Sequence, residues 1–183
     1  MCIELQPRGH CLVTLGNEHG DLFLAGGYTN PKVVSPNTYI HQNDAWTRRA
    51  AMPNPRGRLM CGPVRGVDGE VQRVVAAGGQ GEGHGAYSIV EVYDVASDAW
   101  QTGTPLPFAL NRGAVVDHGN TFLVIGGFTM QGTNAMRSDK IMKFNADGNW
   151  EVLEDRLSAD GFDPVAINIG PGLRKCDDCR CSA

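Results

Sequence analysis

The side chains best equipped for chemistry in this chain are few and scattered. Cys176-x-x-Cys179-x-Cys181, with Asp177 and Asp178 alongside, is a thiol cluster of the kind that opens many metal sites. Tetrahedral zinc takes four ligands, and no fourth Cys or His lies near in sequence. The run therefore reads as a solvated tail, or as the first cysteines of a disulfide-rich module, and no metal is expected. Gly81-Glu82-Gly83-His84-Gly85-Ala86 fits the glycine fingerprint of dinucleotide sites. That mechanism needs a helix to begin at the glycines and hold the pyrophosphate on its N-terminus. A strand-like run, Tyr87-Ser88-Ile89-Val90-Glu91-Val92-Tyr93, follows instead. A flexible loop is expected there, with no cofactor. The histidines, at 10, 19, 41, 84 and 118, fall mostly in turn sequences. None sits in a readable grouping with a nucleophile or carboxylate, which acid–base catalysis would need. Glu154-Asp155 reads as a solvated pair.

The remaining candidates are aromatic and polar residues that each follow a glycine pair: Tyr28, Gln80 and Phe128. Each pair closes an apolar strand, namely Leu22-Phe23-Leu24-Ala25, Val74-Val75-Ala76-Ala77 and Phe122-Leu123-Val124-Ile125. The second glycines are 52 and then 48 residues apart, and Trp46, Trp100 and Trp150 are 54 and then 50 apart. Tyr39, Tyr93 and Phe144 stand seven, seven and six residues before those tryptophans. A fixed period of about 50 residues indicates a repeat architecture. The apolar runs are strand-length and β-branched, and nothing has a helical period.

This arrangement resembles the kelch repeat, a four-stranded blade of a β-propeller. The marks are the strand ending in Gly-Gly, the Tyr, the Trp, and then Met52-Pro53…Arg56 or Leu106-Pro107…Arg112. Unit three departs, with Phe144 for Tyr and no Met-Pro after Trp150. The resemblance implies an all-β fold, a kelch-type β-propeller portion of about three four-stranded blades plus terminal strands. The units span about 8–55, 56–111 and 112–157, with a partial strand over 160–169 completing a domain 1–169 and a Cys-rich disordered tail over 170–183. It also implies that Trp46, Trp100 and Trp150 pack between blades, and that Arg8, Arg56 and Arg112 tie neighbouring blades together. Kelch adaptors grip peptides with residues just after Gly-Gly and with a second Arg after Met-Pro. Carried over by position, the binding residues are Tyr28, Arg58, Gln80 and Phe128, with His84 nearby.

Aligning Arg8 with Arg58 and Arg112 sets Cys11 opposite Cys61 and Val115. A place read as Cys, Cys and Val in successive repeats is a buried apolar one, because free Cys packs as a small hydrophobe. Cys11 and Cys61 are therefore expected reduced, buried and equivalent. The formal charge of -4 argues against a nucleic-acid partner, and no apolar run reaches membrane-spanning length. The first residues lack signal-peptide regions and no Asn-x-Ser/Thr sequon occurs. The compartment stays open, tilted toward the cytoplasm for the chain as given.

Propellers close with about four to eight blades, so three blades leave two open faces and self-association could complete the ring. Ile3–Arg8 resembles the last strand of a preceding blade, and Phe162–Ile169 the first strand of a further one. The functional expectation is a non-catalytic protein–protein interaction module whose partner is a protein or peptide ligand. The alternatives are a propeller enzyme of galactose-oxidase-like or cyclase-like type, or a structural portion of a secreted multidomain protein.

Overall fold

The computed structural model describes residues 8–16, 20–30, 33–83, 85–131 and 134–157. Each repeat forms one four-stranded antiparallel sheet. Blade one contains β1 (Cys11–Thr14) and β2 (Leu22–Ala25), then a small ribbon of β3 (Tyr28–Asn30) and β4 (Val33–Val34), then β5 (Thr38–Gln42) and β6 (Ala45–Arg49). Blade two contains β7 (Met60–Arg65), β8 (Val71–Ala77), β9 (Val90–Asp94) and β10 (Ala99–Thr102). Blade three contains β11 (Ala114–His118) and β12 (Thr121–Ile125), a ribbon of β13 (Phe128–Gln131) and β14 (Asn134–Arg137), then β15 (Lys140–Phe144) and β16 (Trp150–Arg156). In each blade the four strands are hydrogen-bonded in chain order, with the ribbon set aside. The expected strands over 3–8 and 160–169 and the Cys-rich tail lie outside the described residues, apart from Arg8.

The blades stack through their faces. Side chains alternate across a strand with a period of two, so β1 buries Cys11 and Val13 and exposes Leu12 and Thr14. The buried set joins Phe23, Ala25 and Ile40 against Cys61, Val74, Ala76, Tyr93 and Trp100 of blade two. The opposite face of blade two sends Met60, Val64, Val75, Ala77 and Val90 against Phe122, Val124, Met142, Phe144 and Trp150. Blade two is thus covered on both sides, which is why Val74 to Ala77 is an unbroken buried run.

The two junctions fill the same space from opposite sides. Between blades one and two the ring is Phe23, with its centroid 5.1 Å from Tyr93 and 6.1 Å from Trp100. Between blades two and three it is Phe122, 5.4 Å from Phe144 and 5.8 Å from Trp150. Cross-strand pairing places Val75 at Phe23's position and Val74 at Phe122's. One large and one small side chain therefore meet at each junction, and core volume is kept. Gly62 makes the second arrangement possible, since a Cβ there would lie 2.1 Å from the Phe122 ring.

Hydrogen bonds reinforce the stack. Trp100 Nε1 donates to the Ala50 carbonyl and Trp150 Nε1 to the Thr104 carbonyl, each at 3.0 Å. Asp98 Oδ1 accepts from the Ala50 amide at 2.8 Å and from the Tyr93 hydroxyl at 2.7 Å. Burial pushes the Tyr93 phenol far up, and its bond to Asp98 adds to that. The Ala50 amide in turn holds the Asp98 carboxyl below its usual range.

Unit one departs from the expected register at its aromatic. Trp46 pairs with His41, as Trp100 does with Tyr93 and Trp150 with Phe144, whereas Tyr39 pairs with Arg48. The β5–β6 turn is only Asn43-Asp44, both left-handed at φ 49° and 59°, the geometry of a two-residue hairpin turn. The matching connection in blade two runs from Val95 to Asp98. The equal Tyr-to-Trp spacings were a coincidence of different loop lengths. His41 also stands in a strand rather than a turn, packed edge-on to Trp46 at 5.1 Å.

The cysteine expectation is corrected. Arg8, Gly57 and Asn111 make equivalent bridges, to Tyr28, Gln80 and Phe128. The next residues, Gly9, Arg58 and Arg112, share a left-handed backbone at φ 67°, 56° and 56°. Arg58 therefore matches Gly9 and not Arg8, and the alignment through Arg8 is off by one. A one-residue slip sends a strand side chain to the other face. Cys11 is equivalent to Met60 and Ala114, while Cys61 is equivalent to Leu12 and Val115. Cys11 faces blade two and Cys61 faces blade one, and the two form a disulfide with Cα atoms 5.6 Å apart. Both are buried, as expected, but neither is reduced. At the next junction Met60 and Val115 occupy the same two places.

Arg112 likewise does not repeat the role of Arg56. Arg56 is fully buried and pairs with Glu91. Its guanidinium also donates to the carbonyls of Gly78 at 2.7 Å, Ala76 at 2.9 Å and Asn54 at 2.8 Å. It is the blade tie that the resemblance implied. At the following junction the equivalent residues are Leu110 and Met142, both fully buried, so one junction holds an ion pair where the other holds hydrocarbon.

Two outcomes follow. Alkylated after unfolding without reductant, Cys11 and Cys61 should remain unmodified and appear by mass spectrometry as one linked peptide pair. A cross-link closing 50 residues is worth about 4 kcal/mol in the chain-entropy model, so reduction should lower the thermal midpoint. Free thiols at both positions in unreduced protein would refute the bond. For the buried pair, Arg56→Ala or Glu91→Ala alone should cost about 3–5 kcal/mol, because one charge is left unpaired. The double change Arg56→Leu/Glu91→Met, copied from the neighbouring junction, should recover most of that loss in denaturant melts. A double variant as unstable as the sum of both single changes would refute the equivalence.

Candidate functional site

At the Gly-Gly ends of the second strands the chain builds a mouth. Its frame is backbone: the amides of Gly57 and Gln80 each donate to the other's carbonyl, at 2.9 and 2.8 Å. Phe128 and Asn111 make the same exchange. The Arg58 amide donates to the Gly9 carbonyl, and the Arg112 amide to the Arg58 carbonyl at 2.9 Å. The two exchanges extend the β7–β8 and β11–β12 ladders within their blades. The two arginine amide bonds run from blade to blade, and Arg58 and Arg112 are held between them in a left-handed conformation that few residues other than glycine adopt.

Four of the five expected binding residues converge here. The Arg58 guanidinium lies 5.8 Å from the Tyr28 ring centroid and donates from Nη1 to Gln80 Oε1 at 2.9 Å. Tyr28 and Gln80 are buried, Arg58 and Phe128 partly so. The Tyr28 ring rests on Gly57, where a Cβ would come within 2.2 Å of it. Burial raises the Tyr28 phenol above its usual range, opposed by the Arg58 and Arg112 guanidiniums and by Gln80. His84 lies outside the described residues.

Two residues of the mouth escaped the sequence reading. The guanidinium of Arg112 sits 5.4 Å from the Phe128 ring centroid, so it repeats the Arg58–Tyr28 contact one blade on. Asn111 Nδ2 donates to Gln80 Oε1 at 3.4 Å. A readable signal existed for Arg112, since both arginines stand two residues before a first strand, β7 or β11.

Ribbons β3–β4 and β13–β14 hang from blades one and three in the connections that leave this mouth. In blade two the same connection is the glycine-rich run after Gln80, with a single bridge from Gln80 to Ala86. It leads into strand β9 and no helix starts there. Among the described residues no cluster of three or more His, Cys, Asp or Glu gathers as metal ligands would. No described helix is long and apolar enough to cross a membrane. What the mouth offers is two cationic forks, each laid over an aromatic ring, around a buried amide.

No family model matches the chain. It is 26% identical over 151 residues to an F-box/kelch-repeat protein of Arabidopsis thaliana, covering 79% of this chain and 36% of that protein. It is 34% identical over 132 residues to Kelch-like protein 34 of Homo sapiens, covering 63% of this chain and 19% of that one. With Kelch-like protein 40a of Danio rerio it shares 32% identity over 133 residues, 67% of this chain and 20% of the other. The chain thus spans only a minor part of the length of these curated relatives. Three equivalent antiparallel blades, the Gly-Gly and Trp register within them and these similarities agree: the chain belongs to the kelch-repeat family and forms part of a β-propeller.

Proposed function

We propose that this chain is a non-catalytic protein-binding module, and that it grips a carboxylate-bearing peptide segment at the mouth between Arg58 and Arg112. The observation that carries the reading is the paired placement of these arginines. Both hold the same left-handed backbone, both are tied to the adjacent blade through main-chain bonds, and each lies over an aromatic ring. Non-glycine residues in that conformation carry a strain of about 1–3 kcal/mol, and such strain gathers at functional sites. A guanidinium held over a ring loses little further freedom on binding and keeps its donor edge for a bidentate carboxylate. Arginine and aromatics are also the residues that dominate interface energies. Kelch repeats in the relatives' names agree with an interaction module.

The disulfide favours a second reading, a structural portion of a secreted multidomain protein, because such bonds persist in oxidising compartments.

The first reading is tested with peptides selected from a random display library on the full chain. Selected sequences should be rich in Asp and Glu. Arg58→Gly and Arg112→Gly, which keep the left-handed backbone that Gly9 already uses, should each weaken binding at least tenfold. That factor is about 1.4 kcal/mol, the scale of one charge-assisted hydrogen bond. Arg73→Ala, at the far end of β8, should change little. Binders indifferent to both arginines would overturn the assignment.

A further inference from the structure

A polar seal closes one junction between blades and is missing from the other. Between blades one and two, the Asp98 carboxylate joins the Ala50 amide to the Tyr93 hydroxyl, at 2.8 and 2.7 Å, while Trp100 holds the Ala50 carbonyl. Between blades two and three, Trp150 keeps the bond to the equivalent carbonyl, that of Thr104. Gly148 stands at the place of Asp98, two residues before the Trp and likewise left-handed, φ 87° against 51°. Phe144 stands at the place of Tyr93, paired with Trp150 as Tyr93 is with Trp100. The second junction therefore lacks both the carboxylate and the hydroxyl. Among the described residues the Thr104 amide has no hydrogen-bond partner.

A cleft of about 210 Å³ occupies the vacated space, bounded by Thr104, Gly148 and Phe144. Its wall on blade two is apolar, made by Val64, Val75 and Val92. At the rim Arg73 and Asp94 stand opposite each other in the ladder. Asp94 Oδ1 already accepts from the Ser97 amide and hydroxyl, at 2.8 and 2.7 Å. Arg73 is exposed and forms no ion pair among the described residues. It lies at the other end of β8 from Gly78-Gly79, so the cleft is separate from the mouth.

We propose that this cleft binds a small organic acid. Its carboxylate takes the place of the Asp98 side chain at the Thr104 amide, and its apolar body lies on Val64, Val75, Val92 and Phe144. A carboxylate is what the equivalent amide receives at the first junction, so the fold itself names the acceptor. Arg73 supplies the counter-charge, and hydrogen bonds to an ionised group are the stronger kind. The volume exceeds the roughly 150 Å³ cavity that encloses a benzene molecule. Drug-sized ligands need about 300 Å³ or more, so the fit is to a single ring or a short branched chain bearing one carboxylate.

Benzoate is the probe, benzamide its neutral isostere, and the readout is the amide NMR spectrum of the full isotope-labelled chain. Benzoate should shift the Gly103, Thr104 and Gly148 signals saturably. Benzamide should bind about tenfold more weakly, the scale of one charge-assisted hydrogen bond. Gly148→Asp restores the missing carboxylate. A Cβ there meets open space and Asp98 already holds a left-handed backbone, so the variant should keep its thermal midpoint and lose benzoate binding. Arg73→Ala should weaken benzoate while Arg58→Gly leaves it unchanged, the reverse of their effects on mouth peptides. If Gly148→Asp lowers the midpoint, benzamide and Arg73→Ala decide the matter. Shifts confined to Gln80 and Phe128, equal binding of benzamide, indifference to Arg73→Ala, or full benzoate affinity in a stable Gly148→Asp would each overturn the proposal.

Discussion

The contact on which this structure depends is the meeting of two sheet faces. A four-stranded blade of this kind is apolar on both sides, so by itself it would leave both faces in water. Stacking solves that problem, and the junctions show which of their parts are fixed and which are free. The parts that hold backbone recur: the Trp to a carbonyl four residues past its counterpart, and the amide of Gly27 or Gly79 to the carbonyl of Arg56 or Leu110. The parts that fill volume vary, as with Phe23 and Phe122, Arg56–Glu91 and Leu110–Met142, or Cys11–Cys61 and Met60–Val115. A peptide group is the same in every repeat, so a bond to it demands one solution. Space can be filled in several ways, provided that size and polarity balance across the gap.

That division explains what could be read from the chain. Gly-Gly, the apolar runs before it and the tryptophans mark backbone needs, and they located all three sheets and three of the mouth residues, Tyr28, Gln80 and Phe128. The left-handed place after each bridge is also a backbone need, but Gly9, Arg58 and Arg112 meet it with different residue types. Arg8 beside Gly9 therefore looked like the partner of Arg58. One residue of error turned two facing cysteines into two equivalent ones, since strand faces alternate. Loop length hid the second case, because a two-residue turn in blade one brings His41 to the Trp that Tyr39 had seemed to match. Both errors are register errors, and hydrogen-bond partners resolve them where spacing alone does not.

The mouth draws on the same frame. Arg58 and Arg112 hold the inner ends of neighbouring blades together through their amides and carbonyls, while their side chains turn outward over Tyr28 and Phe128. The structural role and the proposed recognition role thus fall on the same residues but on different atoms. Loops carried on a rigid scaffold are where binding groups concentrate, and here the rigid part begins within the residues proposed to bind.

The exchange of ring and valine between the two junctions gives the blades an order. Had blade three been set directly after blade one, Phe23 and Phe122 would project into one gap, and Phe122 would meet Val13 where it now meets the bare backbone of Gly62. Two rings would crowd a space shaped for one. Similar repeats strung along one chain are prone to pair with the wrong neighbour while folding, and identical junctions would do nothing to prevent it. By alternating which side supplies the bulk, this chain labels each seam, so that a misplaced blade is rejected by its own volume.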